Sequence, residues 1–232
     1  MINSICITFD TDWAPEEAVA DAIELINTYK INVTIFATNF YSCLQNLPAN
    51  IEVGLHPNFN NILKGNGQSF EKVFDELYAI YPKAKGLRSH SLTQSSYILM
   101  HAKEKGIVYD SNTYNPNQAK AFVDYNGLLR FTHCWVDLGH ILDKKEFVIK
   151  EIPLKTESHN IVDFHPIHTF INTDTLSFYN NVKHLTTNAT ELNKSKNNTN
   201  NGIRTLFINL LDDIKQNHIQ TKTMYQLYKE NL

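Results

Sequence analysis

The sequence predicts an α/β fold, a deformed (β/α) barrel of about seven parallel strands. Three observations predict it. Short β-branched, apolar runs alternate with amphipathic helical stretches along most of the 232 residues. Several of those runs stop abruptly at a carboxylate, an imidazole or a guanidinium. No Gly-rich phosphate loop follows any of them, which argues against a nucleotide-binding sheet. A doubly wound open sheet is the alternative architecture.

The elements follow in order. Residues 5–9 form an apolar strand ending in Asp10 and Asp12. A helix over 15–29 starts with Pro15 in its first position and Glu16 and Glu17 in its first turn. Val19, Ile23, Ile26 and Tyr29 make its buried stripe. Residues 33–37 are a β-branched strand, 38–50 a loop region with a short helical piece, and 51–55 a strand ending at His56. Phe70, Val73, Phe74, Leu77 and Ile80 recur at helical spacing in 69–81. A short strand, 86–88, ends in Arg88. A helix over 93–105 is capped by Thr93 and closed by Gly106, and strand 107–109 ends at Asp110. Residues 128–136 read as extended, 147–153 as a strand, and 161–164 as a strand ending at His165. The stretch 193–201 is almost devoid of apolar residues and reads as a flexible Asn-rich loop. A helix over 202–217 and a short one over 224–232 complete a single domain spanning 1–232.

Composition bounds the function. A net charge of −3 gives no reason to expect nucleic acid or an anionic membrane as partner. No run approaches the roughly 18 apolar residues of a membrane span, and the N-terminal apolar run is too short for a signal peptide. Cys6, Cys43 and Cys134 are odd in number and widely spaced, as expected of reduced thiols in a cytoplasmic protein. The oligomeric state is left open by the sequence.

The polar residues that carry chemistry share one kind of position. Asp10, Asp12, His56, Arg88, Asp110 and His165 each sit where an apolar strand stops. In a parallel barrel all such ends lie on one face, so these side chains converge. Taken singly, Asp10 reads as a helix cap and Asp12 as a solvated loop residue. Five strand ends delivering acids, imidazoles and a guanidinium are harder to explain that way.

The motifs also resemble a known family. Thr8-Phe9-Asp10-Thr11-Asp12, Glu52-Val53-Gly54-Leu55-His56, Arg88, Tyr109-Asp110-Ser111 and Ile161-Val162-Asp163-Phe164-His165 are similar, in order and spacing, to the five motifs of the NodB-homology polysaccharide deacetylases. Phe-Asp-Thr-Asp-Trp, Gly-Leu-His-Pro-Asn-Phe and Phe-His-Pro-Ile-His resemble its WbmS-like subgroup, linked to O-antigen and surface-polysaccharide biosynthesis. The resemblance implies the deformed barrel and a metal-dependent hydrolase that removes an acetyl group from an N-acetylated sugar. Asp10 would be the general base, held as an oriented carboxylate by Arg88. Asp12 and His56 would bind a divalent metal, Zn²⁺ foremost. His165 would be the general acid, and Asp110 would orient His165 or another charged member.

One departure stands out. The family's second metal histidine falls at Asn60, whose neutral amide is a poor Zn²⁺ ligand. If a turn follows Pro57, Asn60 still lies beside His56. His90 and His168 are the candidate substitutes, although an ordinary polar loop role is the simpler reading of each. A catalytically inactive carbohydrate-binding relative is therefore the alternative, and hydrolysis of a non-sugar C–N bond a third option. Trp13 reads as packing at the mouth of the site. Trp135-Val136-Asp137 reads equally as groove lining or surface loop. Asp163 is expected to face a helix in a salt bridge, away from the motif residues, and His101, His133, His140, His159, His184 and His218 to be solvated.

Overall fold

The computed structural model describes residues 2–118, 120–156 and 158–232. Strand β1 (Ser4–Asp10) is its axis. Pleating sends Ile5, Ile7 and Phe9 outward toward the helices, and Cys6, Thr8 and Asp10 inward. Helix α1 (Glu16–Tyr29) follows, with Pro15 at its N-cap rather than inside its first turn, and packs Ala18, Val19, Ala22 and Ile26 against the sheet. Next come β2 (Val33–Ala37), β3 (Ile51–Leu55), the short α2 (Asn60–Leu63) and α3 (Phe70–Ile80), which Ser69 caps. Strand β4 (Gly86–Leu87) leads to α4 (Ser96–Glu104). Then follow β5 (Tyr109–Tyr114), β6 (Phe122–Val123), β7 (Leu129–His133), β8 (Trp135–Val136) and α5 (Asp137–Leu142). The last third comprises β9 (Ile161–Phe164), α6 (Pro166–Ile171), α7 (Leu176–Val182), α8 (Ala189–Lys194), α9 (Ile203–Gln216), β10 (Gln220–Thr221) and α10 (Met224–Glu230).

The sheet order is β6-β7-β5-β4-β3-β2-β1-β9-β8, with β10 beside the start of β1. Among the described residues all pairings are parallel except β6 with β7. Cys134 alone separates β7, which pairs with β5, from β8, which pairs with β9. The chain thus carries itself across the seam and curls the sheet into the expected deformed barrel. Registers such as Phe9↔Ile35, Phe9↔Phe164 and Leu55↔Leu87 bring the strand ends to one face. At β4 a glycine is required: a Cβ on Gly86 would lie 2.0 Å from Tyr109 Cζ, inside the barrel.

Outside the sheet, α9 buries Leu206, Phe207, Leu210, Leu211 and Ile214, with Phe207 edge-on to Phe9 at 5.4 Å. Helix α10 packs Met224 and Leu227 in the cluster that holds Cys6, Phe36 and Tyr109. Its first turn is capped by barrel side chains as well as by Thr223: Met224 N–H donates to Thr34 Oγ1 and Tyr225 N–H to Glu52 Oε2, both at 2.8 Å.

Several elements differ from expectation. Residues 147–153 are not a strand: Ile149–Glu151 form a 3₁₀ turn, because the edge beside β9 is already taken by β8. Phe147, Ile149 and Ile152 still pack on the core. Helix α4 begins after Ser95, whose Oγ accepts from Ile98 N–H, so Thr93 is not its cap. Strand β5 runs past Asp110 to Tyr114. The Asn-rich stretch is partly helical in α8, and buried Asn197 ties it down, donating to Asn172 O and accepting from Thr199 and Asn200 N–H.

Candidate active site

Two carboxylates leave the end of β1. Between them Thr11 is buried, and its Oγ1 accepts from Thr38 N–H at 2.9 Å, which fixes the turn that separates them. Asp12 Oδ2 lies 2.8 Å from His56 Nε2 and 2.9 Å from His90 Nδ1. His56 is placed by β3, its N–H donating to Ala37 O at 2.8 Å. His90 sits in a 3₁₀ turn just past β4, its N–H donating to Pro57 O at 3.0 Å. All three side chains are buried, and each offers a ligand atom within 4.8 Å of the other two. Burial works to raise the Asp12 pKa, but His56 and His90 outweigh it and hold the carboxyl far below its usual range. Burial works against charge on His56, while Asp10 and Asp12 raise its pKa.

Arg88 is buried in the barrel beneath this cluster. Its Nη1 donates to Asp163 Oδ1 (2.6 Å), Thr8 Oγ1 (2.8 Å) and Asp10 Oδ1 (3.1 Å), its Nη2 to Ser111 Oγ (3.0 Å), and its guanidinium lies over Phe36. Asp163 therefore faces the site. Residues two apart on a strand share a face, so Asp163 follows His165 inward, correcting the helix-facing expectation. Burial, followed by the charge of Asp10, raises the Asp163 pKa.

His165 stands on the opposite wall. Asp137, the first residue of α5, accepts from its backbone N–H at 2.6 Å and lies 2.7 Å from its Nδ1. Its Nε2 points at Asp12, 3.9 Å from Oδ2. Burial opposes charge on His165, but Asp137 outweighs it and pushes the pKa up to about 10. Trp13, in left-handed conformation (φ 56°) and 46 % exposed, stacks on the His165 ring at 5.5 Å and meets His90 edge-on at 5.6 Å. It roofs both halves of the site, as its expected place at the mouth requires.

Asp10, Asp12, His56, Arg88 and His165 thus converge. Asp110 stands apart. Asn60 opens α2, and the second imidazole on Asp12 is His90. Asp110 is paired with Arg130 (2.8 Å) and accepts from Asn112 N–H, while the carboxylate on His165 is Asp137. His133 and His140 are buried rather than solvated. The sequence reading placed Asp137 in groove lining or a surface loop and not among the strand-end residues, although it carries their signal, an acid where the run Cys134-Trp135-Val136 stops.

A family model described as WbmS-like polysaccharide deacetylase matches residues 7–183. Among solved structures, a proposed polysaccharide deacetylase involved in O-antigen biosynthesis, from Bordetella bronchiseptica, is similar at 30% identity. The match covers 91% of this chain and 90% of that one, with a TM-score of 0.85. No curated protein sequence matches the chain.

Proposed function

The chain belongs to the WbmS-like polysaccharide deacetylase family, and we propose that it is a metal-dependent hydrolase removing the acetyl group from an N-acetylated sugar in surface-polysaccharide assembly. The observation that carries this reading is the convergence of two buried imidazoles on one oxygen of Asp12, with Asp10 and His165 on either side. A cation satisfies that convergence, and one carboxylate with two imidazoles is a donor set suited to Zn²⁺ or a similar ion. Asp12, His56 and His90 would hold it. When bound, such a cation polarises the acetamide carbonyl and makes water more acidic.

Asp10 is the general base, taking the proton of the attacking water at its carboxylate. Arg88 fixes it in place through Nη1, and Asp163 and Thr8 fix Arg88 in turn. His165 is the general acid: its Nε2 faces Asp12 and delivers a proton to the departing amine, while Asp137 holds Nδ1. Acetate and the free amino sugar are the products. Trp13, half exposed over His165, narrows access to water and bounds the space for the sugar. Among the described residues no helix is long and apolar enough to cross a membrane. We place the reaction in the cytoplasm on the strength of three free cysteines.

The binding-only alternative rested on Asn60. His90 beside Asp12 supplies the imidazole that Asn60 lacks, which favours the hydrolase. The test is metal content together with acetate release from a panel of N-acetylated sugars. A cation at Asp12, His56 and His90 and acetate release, both lost in Asp12→Ala and His56→Ala, are expected. A protein that takes up no Zn²⁺, Co²⁺, Ni²⁺ or Mn²⁺ rules the reading out.

A further inference from the structure

A second group of ligand-bearing side chains lies beside the first. Asp137, His165 and His168 each offer one ligand atom, and these lie within 4.8 Å of one another. All three are buried. His165 and His168 are three residues apart at the start of α6, so they face the same way, and Asp137 approaches from the start of α5. The detail that sets this group apart from an ordinary ion pair is His168. Its Nδ1 meets Thr173 Oγ1 at 3.0 Å, whereas its Nε2 is buried with no hydrogen-bond partner among the described residues. An imidazole tied through one nitrogen to a hydroxyl, its other nitrogen buried and unpartnered in a group with a carboxylate and a second imidazole, has the outer support characteristic of metal-ligating histidines. A buried polar atom left without a partner costs free energy, and a cation there would satisfy it.

We propose that Asp137, His165 and His168 form a second cation site, separate from Asp12, His56 and His90, that takes a borderline transition ion such as Zn²⁺. Two imidazoles and one carboxylate favour Zn²⁺, Co²⁺ or Ni²⁺ over Mg²⁺ or Ca²⁺. A cation bound there would take His165 Nδ1 in place of the proton shared with Asp137, which goes to solvent, and the ring, no longer an imidazolium, would hold its Nε2 proton too tightly to give it to the amine. The same ion that activates the protein at the first site therefore silences it at the second when in excess.

The experiment is Zn²⁺ and Co²⁺ stoichiometry by equilibrium dialysis on the metal-stripped full chain, with the Co²⁺ visible spectrum as second readout. Wild type is expected to bind one ion more than His168→Gln. His56→Ala should lose the other ion and keep this one, and the double variant should lose both. Thr173→Val, which removes the partner of His168 Nδ1, should weaken the second ion about 10–100-fold and serves if His168→Gln does not fold. Acetate release by wild type should fall as Zn²⁺ passes the first equivalent, and that fall should vanish in His168→Gln. Equal stoichiometry in wild type and in a folded His168→Gln, or unchanged second-ion affinity in Thr173→Val, overturns the proposal. Stoichiometry is read without turnover, so this result stands apart from whether the chain deacetylates a sugar.

Discussion

His90 Nδ1 lies 2.9 Å from Asp12 Oδ2, the same oxygen that His56 Nε2 meets at 2.8 Å. His90 reaches that position from the turn after β4, whereas Asn60 is the first residue of α2. We therefore expect His90→Ala to weaken the first-site ion by more than the 10–100-fold that loss of an outer partner costs. Asn60→Ala should bind it as wild type does. Metal titration of the two variants decides between them, and an Asn60→Ala defect equal to that of His90→Ala would contradict the geometry.

Asp137 sets the working range of His165. With Asp137 in place His165 holds its proton up to about pH 10. Asp137→Asn removes the carboxylate, so the alkaline limb of the rate profile should move down toward the ordinary imidazole value near 6.5. The rate should drop by about 10²–10⁴, the range a positioned acid contributes. Stability follows the same pair. The raised His165 pKa adds stability that is complete below about pH 6.5 and is lost as pH rises toward about 10. The lowered Asp137 pKa adds stability above its unfolded value that is lost as pH falls through its folded one. Urea midpoints of wild type and variant across pH should therefore converge at both ends.

Much of this was legible because apolar runs stopping at charged residues mark strand ends. The rule located Asp10, Asp12, His56, Arg88 and His165 in one convergent set. It failed for His90, which sits in the turn beyond β4 rather than at the strand end, and for Asp137 because β8, which positions it, is two residues long and leaves no periodicity to read. Asp163 was misplaced by parity: two positions before an inward His165, it must also face inward. The strand expected at 147–153 has the right apolar content, but content alone cannot tell that β8 already occupies the edge beside β9. Asn172–Asn197 pairing, invisible as composition, ties down a stretch that reads as free loop.

Arg88 is the fork that holds three elements of the barrel. A single nitrogen meets Thr8, Asp10 and Asp163, and the other meets Ser111. Arg88→Met leaves two buried carboxylates without their cation, which costs about 3–5 kcal/mol for a broken buried pair. Arg88→Lys keeps the charge but cannot reproduce the planar fork, so it should recover only part of that loss. Denaturant melts of both variants check the order wild type, Lys, Met. A Lys variant as stable as wild type would show that charge alone matters.

The floor of the barrel depends on a cap supplied from within it. Thr34 Oγ1 accepts from Met224 N–H and donates to Glu52 Oε2, which accepts from Tyr225 N–H; Tyr109 Oη donates to Glu52 Oε1 at 2.7 Å. These are the first-turn donors of α10, which otherwise lack partners. Thr34→Val keeps the shape but removes one acceptor, so it should cost about 1 kcal/mol, in the range of a lost helix cap. Met224 and Leu227 would still fill the floor, so the fold should persist while α10 opens more often. Hydrogen exchange should therefore quicken at the backbone amides of α10 and remain unchanged in α9. Equal protection in α10 for variant and wild type would show that burial of Met224 and Leu227 alone holds the helix.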